Sequence, residues 1–143
     1  MALPAKLTLE IVTPDHPLLR EEVDEVVVPG SEGEFGVLPG HTPLLATLKV
    51  GELWYRQGQE KHYLAVAFGF VEVLPDRVTV LAQVGERAQD IDVERAERAK
   101  RRAEERLSQP AQTTAALDFE RARVALMKSM IRLQVASRAR TRV

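Results

Sequence analysis

Residues that could do chemistry are few and poorly arranged for it. The three histidines, His16, His41 and His62, are dispersed and lack metal-ligand spacing, and the chain has no cysteine, so Cys-ligated zinc, thiolate nucleophiles and disulfides are excluded. Ser31 lies in "GSEG", which is not a nucleophile elbow, and no base can be assigned to it. The acidic pairs Glu21/Glu22 and Glu104/Glu105 read as solvated surface. The run "GSEGEFGVLPGHTPLL", Gly30 to Leu45, suggests a phosphate cradle by its glycines, but that chemistry needs a lysine and convergent amides, and here the run carries Glu32 and Glu34. No catalytic residue and no metal site is expected.

The chain has 143 residues, 45% of them hydrophobic and 29% charged, with a net charge of −1. Such a composition can bury a core. The average conceals an asymmetry: residues 1–85 hold six Lys and Arg against twelve Asp and Glu, and residues 86–143 hold fourteen against nine. An acidic half is joined to a basic half. The longest apolar run, Tyr63 to Val71, is about half of what a membrane helix needs, and the first residues carry no signal-peptide or transit-peptide pattern. Any membrane association is therefore expected to run through partners.

The elements that must position these residues change character near residue 86. Before it, Leu7, Leu9 and Ile11 alternate with Thr8, Glu10 and Val12, "TPDHP" breaks the pattern, and Val23 to Val28 resume it. Val50 to Arg56 and His62 to Val73 flank the turn "QGQE", and "LPDR" leads into "VTVLAQV". Short strands bounded by Gly, Pro and Asp predict an antiparallel β-sandwich or flattened barrel over residues 1–86. Gly30, Gly33, Gly36 and Gly40 are expected in turns with positive φ, with Pro39 and Pro43 stiffening a projecting loop around His41.

After residue 86, Ala96, Ala99, Ala103 and Leu107 keep one small apolar face along a helix, while Glu94/Arg98 and Glu97/Arg101 pair at i,i+4 on the other. Pro110 in "SQPAQTT" interrupts it, and a second helix is expected from about Leu117 with Phe119, Ala122, Leu126, Met130 and Leu133 inward. The mixed β and α chain thus ends in an antiparallel α-helical hairpin, residues 87–143. The hexads "IDVERA" (91–96) and "LDFERA" (117–122) echo one another, each with an Asp suited to a helix start. The basic residues also admit a second reading, a nucleic-acid-binding basic hairpin carried on a β-sandwich, for which Arg101, Arg102 and the tail "SRARTRV" would contact phosphates. A carbohydrate-binding sandwich would need exposed aromatics, and Trp54 and Tyr55 are the adjacent candidates.

Four ordered segments carry a family resemblance: "LTLEIVTPD", "GSEGEFGVLPGHTPLLATLKVG", "FGFVEVLPDRVTVLA" and "DIDVERAERAKRRAEERL". Together they resemble the ε subunits of F-type ATP synthases over nearly the whole chain. The resemblance implies a non-catalytic rotor subunit, joining the γ subunit to the ring of membrane c subunits so that proton flow drives ATP synthesis. It implies a peripheral position on the cytoplasmic face of the bacterial cell membrane and no required cofactor. Glu34 is similar in position to a residue facing the c ring, and His41 to one beside γ. The resemblance further implies that the hairpin can extend toward the catalytic head and inhibit ATP hydrolysis, with Arg121, Arg123, Lys128, Arg132, Arg138 and Arg140 meeting an acidic region of the β subunits, beside the α subunits. Some bacterial members bind ATP as a regulatory ligand on the folded hairpin through a motif similar to I/L-D-x-x-R-A. Here that motif is Ile91, Asp92, Arg95 and Ala96, with Glu86 and Arg102 on the first-helix side and Lys128 and Arg132 on the second. Lys128 departs from the family's arginine and offers a point charge in place of a bidentate fork.

Overall fold

The structure is a computed structural model that describes residues 3–109 and 115–140. It divides into two compact units, Met1–Arg87 and Ala88–Val143. The first contains eight strands: β1 Leu7–Val12, β2 Pro17–Val23, β3 Glu25–Gly30, β4 Gly33–Val37, β5 Leu44–Leu48, β6 Gly51–Gln57, β7 Glu60–Leu74 and β8 Arg77–Arg87. The pairing order is β2-β1-β8-β7-β5-β3-β4, with β6 joining β3 and β7. Most neighbours are antiparallel, as tight turns require. The exception is β1, which pairs with β8 in parallel, Leu9 opposite Val78 and Ile11 opposite Val80. These strands come from opposite ends of the unit, so no hairpin dictates their direction.

Strand β2 was not expected from the sequence. Its residues Arg20, Glu21 and Glu22 are exposed and only Leu19 and Val23 are buried, so the apolar signal is thin. It stands at one end of the strand order, and charged side chains are how an edge strand avoids pairing with other chains. The core lies between the inner faces and is built from Leu7, Leu9, Ile11, Val26, Val28, Leu53, Leu64, Val66, Val71, Val73, Val78 and Val80.

Strand β7 is fifteen residues long and, besides pairing with β8, serves two further partners: Gly51–Gln57 of β6 pair with Glu60–Val66, and Leu44–Leu48 of β5 pair with Gly69–Val73. Between them Phe68 and Gly69 have φ of 60° and 123°. Leu64 and Val66 belong to the core before this break, and Val71 and Val73 after it, so the inward alternation shifts by one residue. Phe70 therefore points outward, and is exposed. Only glycine serves at position 69, because a Cβ there would lie 1.9 Å from the Leu81 carbonyl oxygen.

The glycine-rich run is less of a loop than the sequence suggests. Its first part ends β3 and forms β4, with Ser31–Glu32 as the turn, and its last part opens β5. Gly33 and Gly40 have positive φ, whereas Gly30 and Gly36 do not. At Gly30 the requirement is space, since a Cβ would stand 2.8 Å from the Gly33 carbonyl oxygen. The turn is tied down, because the Ser31 N–H donates to Thr47 O at 2.8 Å and the Thr47 hydroxyl donates to Ser31 Oγ at 2.7 Å.

The second unit contains a short 3₁₀ turn, Ala88–Asp90, then α1 Val93–Ser108 and α2 Ala115–Arg140. Pro110, read as the interruption, lies outside the described residues. The helices pack on each other, and the 3₁₀ turn packs on α2. Their buried positions include small residues seven apart, Ala96 and Ala103 on α1 and Ala122, Ser129 and Ala136 on α2, with Val135 fully buried beside Ala136. Ala122 is buried as expected, but the rest of the expected α2 face is corrected. Phe119 and Met130 are exposed, and Leu126 and Leu133 are only half-buried. A seam of small residues lets the helices approach closely, and the large side chains are displaced to its margins.

A polar cluster links β2, β3 and the β6–β7 turn. Lys6 pairs with Asp24, the Gly58 N–H donates to Asp24 Oδ2 at 2.7 Å, and Arg56 lies 3.8 Å from that oxygen and 3.3 Å from Glu25 Oε1. The Lys6 hydrogen bond first, then the Gly58 amide, hold the Asp24 carboxyl below its usual range. A carboxylate depressed in the folded state contributes stability that is present above the unfolded value near 3.8 and lost as pH falls through the folded value. Thermal unfolding of the wild type and Asp24→Asn should therefore differ at pH 7 and converge as pH falls below about 4. Equal melting temperatures at pH 7 would contradict this role.

Candidate functional site

Two surfaces gather the residues singled out in the sequence, one in each unit. On the sandwich, Glu34 lies exposed on β4 beside the Ser31–Glu32 turn, opposite Pro29. His41 lies beyond the other end of β4, half-buried, in a connection held by the Gly40 N–H donating to Pro75 O at 2.7 Å. Its Nδ1–H donates to Thr42 O at 2.6 Å. Glu34 and His41 thus flank β4 at opposite ends and do not form one cluster.

What lies near them is an outward apolar stripe that the sequence reading missed. Strand register places Thr47 of β5 opposite Phe70 of β7, Phe70 opposite Leu81 of β8, and Leu81 opposite Val12 of β1. Leu45 sits two residues before Thr47 on the same side of β5. Leu45, Phe70 and Leu81 are 70%, 53% and 51% exposed. The next row of the same face runs Leu45, Glu72, Thr79, Glu10 and Arg20, so Leu45 lies diagonal to Phe70 and the rest of that row is polar. Contiguous exposed apolar residues bordered by polar ones are the signature of a docking surface. The signal in the sequence was "FGFVEV", where Gly69 shifts the alternation and turns Phe70 outward.

The adjacent aromatics do not make a second surface. Trp54 points outward with the Lys61 ammonium 4.3 Å from its ring centroid, and Tyr55 points inward and stacks on His62 at 4.9 Å. The two rings therefore stand on opposite faces of β6 and cannot form one carbohydrate platform.

On the hairpin, Asp92 is the N-cap of α1, its side chain accepting the Arg95 N–H at 3.1 Å. The echo hexad behaves differently, because Asp118 lies inside the first turn of α2. Ile91 and Ala96 are buried, whereas Arg95 and Arg102 are exposed. Lys128 and Arg132 are half-buried on α2. Arg95 and Arg102 each precede a seam alanine, and Lys128 precedes the seam Ser129. An antiparallel helix pair has a two-fold axis across it, so equivalent offsets from the seam fall on the same flank of the hairpin. Arg95, Arg102, Lys128 and Arg132 thus share one flank. Glu86 belongs to β8, opposite Ala65, in the first unit.

The remaining cations named above do not form one face. Arg121 and Arg123 bracket the seam residue Ala122 and fall on opposite flanks. Arg123 is engaged by Glu120, which lowers the Glu120 carboxyl and raises the guanidinium, chiefly through their hydrogen bond. Arg138 is exposed, and the side chain of Arg140 lies outside the described residues. Among the described residues no cluster of His, Asp or Glu could hold a metal ion. No described helix is long and apolar enough to cross a membrane.

Comparison with known proteins accounts for both units. Residues 6–88 match the family model of the ATP synthase delta/epsilon chain β-sandwich domain, and residues 89–137 match that of its long α-helix domain. The chain belongs to the ATP synthase delta/epsilon family. It is 54% identical over 133 residues to the ATP synthase epsilon chain of Syntrophobacter fumaroxidans, covering 93% of this chain and 97% of the relative. With the epsilon chain of Nitratidesulfovibrio vulgaris the identity is 50%, over 93% and 97%. A chain in the Euglena gracilis mitochondrial ATP synthase shares the fold, with a TM-score of 0.78 at 23% identity, covering 98% of this chain and 84% of that one. A chain of the Tetrahymena thermophila central stalk and c-ring structure does so at a TM-score of 0.59 and 15% identity, over 95% and 97%. As an epsilon-type chain it is a non-catalytic subunit of the ATP synthase.

Proposed function

We propose that this chain couples the rotor of an F-type ATP synthase, docking on the γ subunit through the outward apolar stripe and on the c ring through the Glu34 turn. The observation that carries this reading is the exposure of Phe70 and Leu81 side by side on a rigid sheet, with the exposed Leu45 diagonal to Phe70. Torque transfer needs a stiff body with an apolar contact, and a sandwich whose turn is tied to β5 supplies one. The Euglena and Tetrahymena neighbours come from assemblies that include the c ring or the central stalk, which supports the same placement. The subunit would then sit peripherally on the cytoplasmic face of the cell membrane, held there by its partners. Phe70→Asp and Leu81→Asp should each weaken copurification with γ by at least about tenfold, while the folded sandwich survives. Undiminished copurification of both variants would overturn the docking face.

The hairpin is the regulatory element in this proposal. Extended toward the α and β subunits it would inhibit ATP hydrolysis through its cations, and folded it would bind ATP with Arg95, Arg102, Lys128 and Arg132. Four cations converging on one flank support the second part, since charge-assisted bonds from both helices to a triphosphate would hold them together. Ile91 and Ala96 would act by setting the helix start and the seam, and Asp92 by capping α1. Calorimetric titration with ATP should show saturable binding that Arg95→Ala removes without loss of helix content; no heat up to millimolar ATP would contradict the nucleotide site. Truncation after Val84 should raise hydrolysis by the assembled enzyme, and an unchanged rate would contradict the inhibitory role.

A further inference from the structure

One carboxylate stands inside the outward apolar surface of the sandwich. Strand register puts Glu72 of β7 between Leu45 of β5 and Thr79 of β8, and along its own strand Phe70 and Leu74 are the next residues on the same face. Leu81 is diagonal to it, beside Phe70. Glu72 is exposed, and among the described residues its carboxylate has no ion pair or hydrogen bond. The other charges of this face are placed differently. Glu10 of β1 has Arg20 of β2 directly opposite. Arg77 of β8 lies in the row beyond, between Leu74 and Thr8, with Glu22 at the end of that row. Arg77 is diagonal to both Glu72 and Glu10 and pairs with neither.

A partner that covers Leu45, Phe70 and Leu81 also strips water from the carboxylate set among them. Removing a carboxylate from water is strongly unfavourable unless a cation meets it, so a purely apolar partner surface would fit this face poorly. We infer that the segment of γ docking here carries a Lys or Arg whose charged group meets Glu72, closing an ion pair bordered by Leu45, Phe70 and Leu81. This rests on the proposed docking of γ and adds the chemistry of the partner segment, which is apolar with one cation over β7. The pair also sets register. Apolar contact is non-directional and lets two surfaces slide, whereas one charge pair at the edge of the stripe fixes a single position of the shaft on the sheet.

The test is binding of the full chain to the α, β and γ subunits of the same ATP synthase assembled without it, followed by interferometry so that association and dissociation are read separately. Glu72→Gln keeps the shape and removes the charge; it should speed dissociation about tenfold and leave association within about threefold, and Glu72→Lys should weaken binding about a hundredfold. Glu10→Gln, whose cation is on this chain, should change affinity by less than about twofold. Among single Lys→Glu and Arg→Glu substitutions in γ, one should recover at least about tenfold of the Glu72→Lys loss. Circular dichroism of each variant confirms that the sandwich is folded. Unchanged dissociation of Glu72→Gln, or the failure of every γ substitution to rescue Glu72→Lys, overturns the inference. Equal weakening by Arg77→Ala and Glu72→Gln would assign the cation to this chain and overturn it as well. If Phe70→Asp weakens binding and Glu72→Gln does not, the ion pair fails and the docking face stands; if neither weakens it, both fail.

Discussion

The sandwich depends on the left-handed step at Phe68 and Gly69. One strand must leave β6 and join β5, and it can do so only where its backbone turns through a conformation closed to most side chains. Gly69 makes the step possible, because its missing Cβ leaves room for the Leu81 carbonyl. The same step resets which residues of β7 face inward. Val71 and Val73 enter the core and Phe70 leaves it, so the constraint that builds the sandwich also builds its outward apolar stripe.

The hairpin answers to a different constraint, close approach. Alanine and serine at seven-residue intervals bring α1 and α2 together, and everything else is positioned by its offset from that seam. Arg95, Arg102, Arg121 and Lys128, each one residue before a seam position, come to one side, while Glu97, Glu104 and Phe119 fall on the other. Local signals agree with this arrangement at the start of α1, where Asp92 caps the helix and Glu94 follows in its first turn. The seam contributes no chemistry of its own. It sets the spacing of groups that can bind an anion.

Much of the architecture was legible in the sequence because its signals were local and redundant. Alternation marked β1, β6 and β8, a Gly-containing turn marked the β6–β7 hairpin, and the alanine spacing marked α1. Strand β2 was hidden because an edge strand shows charge on most of its residues, here Arg20, Glu21 and Glu22. The inward face of α2 was misassigned because Phe119 and Met130 are the larger apolar residues, and size suggests burial. In a close-packed pair size is what excludes them, and Ser129, an unremarked polar residue, is fully buried with its hydroxyl donating to Leu126 O at 2.8 Å. The stripe was invisible for a related reason. Leu45, Phe70 and Leu81 are separated in the chain and become neighbours only through strand register. Of the site residues, the hexad around Asp92 could be read directly, but the sharing of one flank by Arg95, Arg102, Lys128 and Arg132 required the seam.

The central claim is that the outward face of β5, β7 and β8 is the docking surface for the rotor shaft. Hydroxyl-radical footprinting of the chain alone and within the assembled ATP synthase would test it most directly, with Leu45, Phe70 and Leu81 as reporters and Trp54, on the outer side of β6, as the reference. The account predicts strong protection of the three stripe residues on assembly and little change at Trp54. Protection of Trp54 with unaltered oxidation of Phe70 and Leu81 would contradict it and move the interface to the other side of the sandwich.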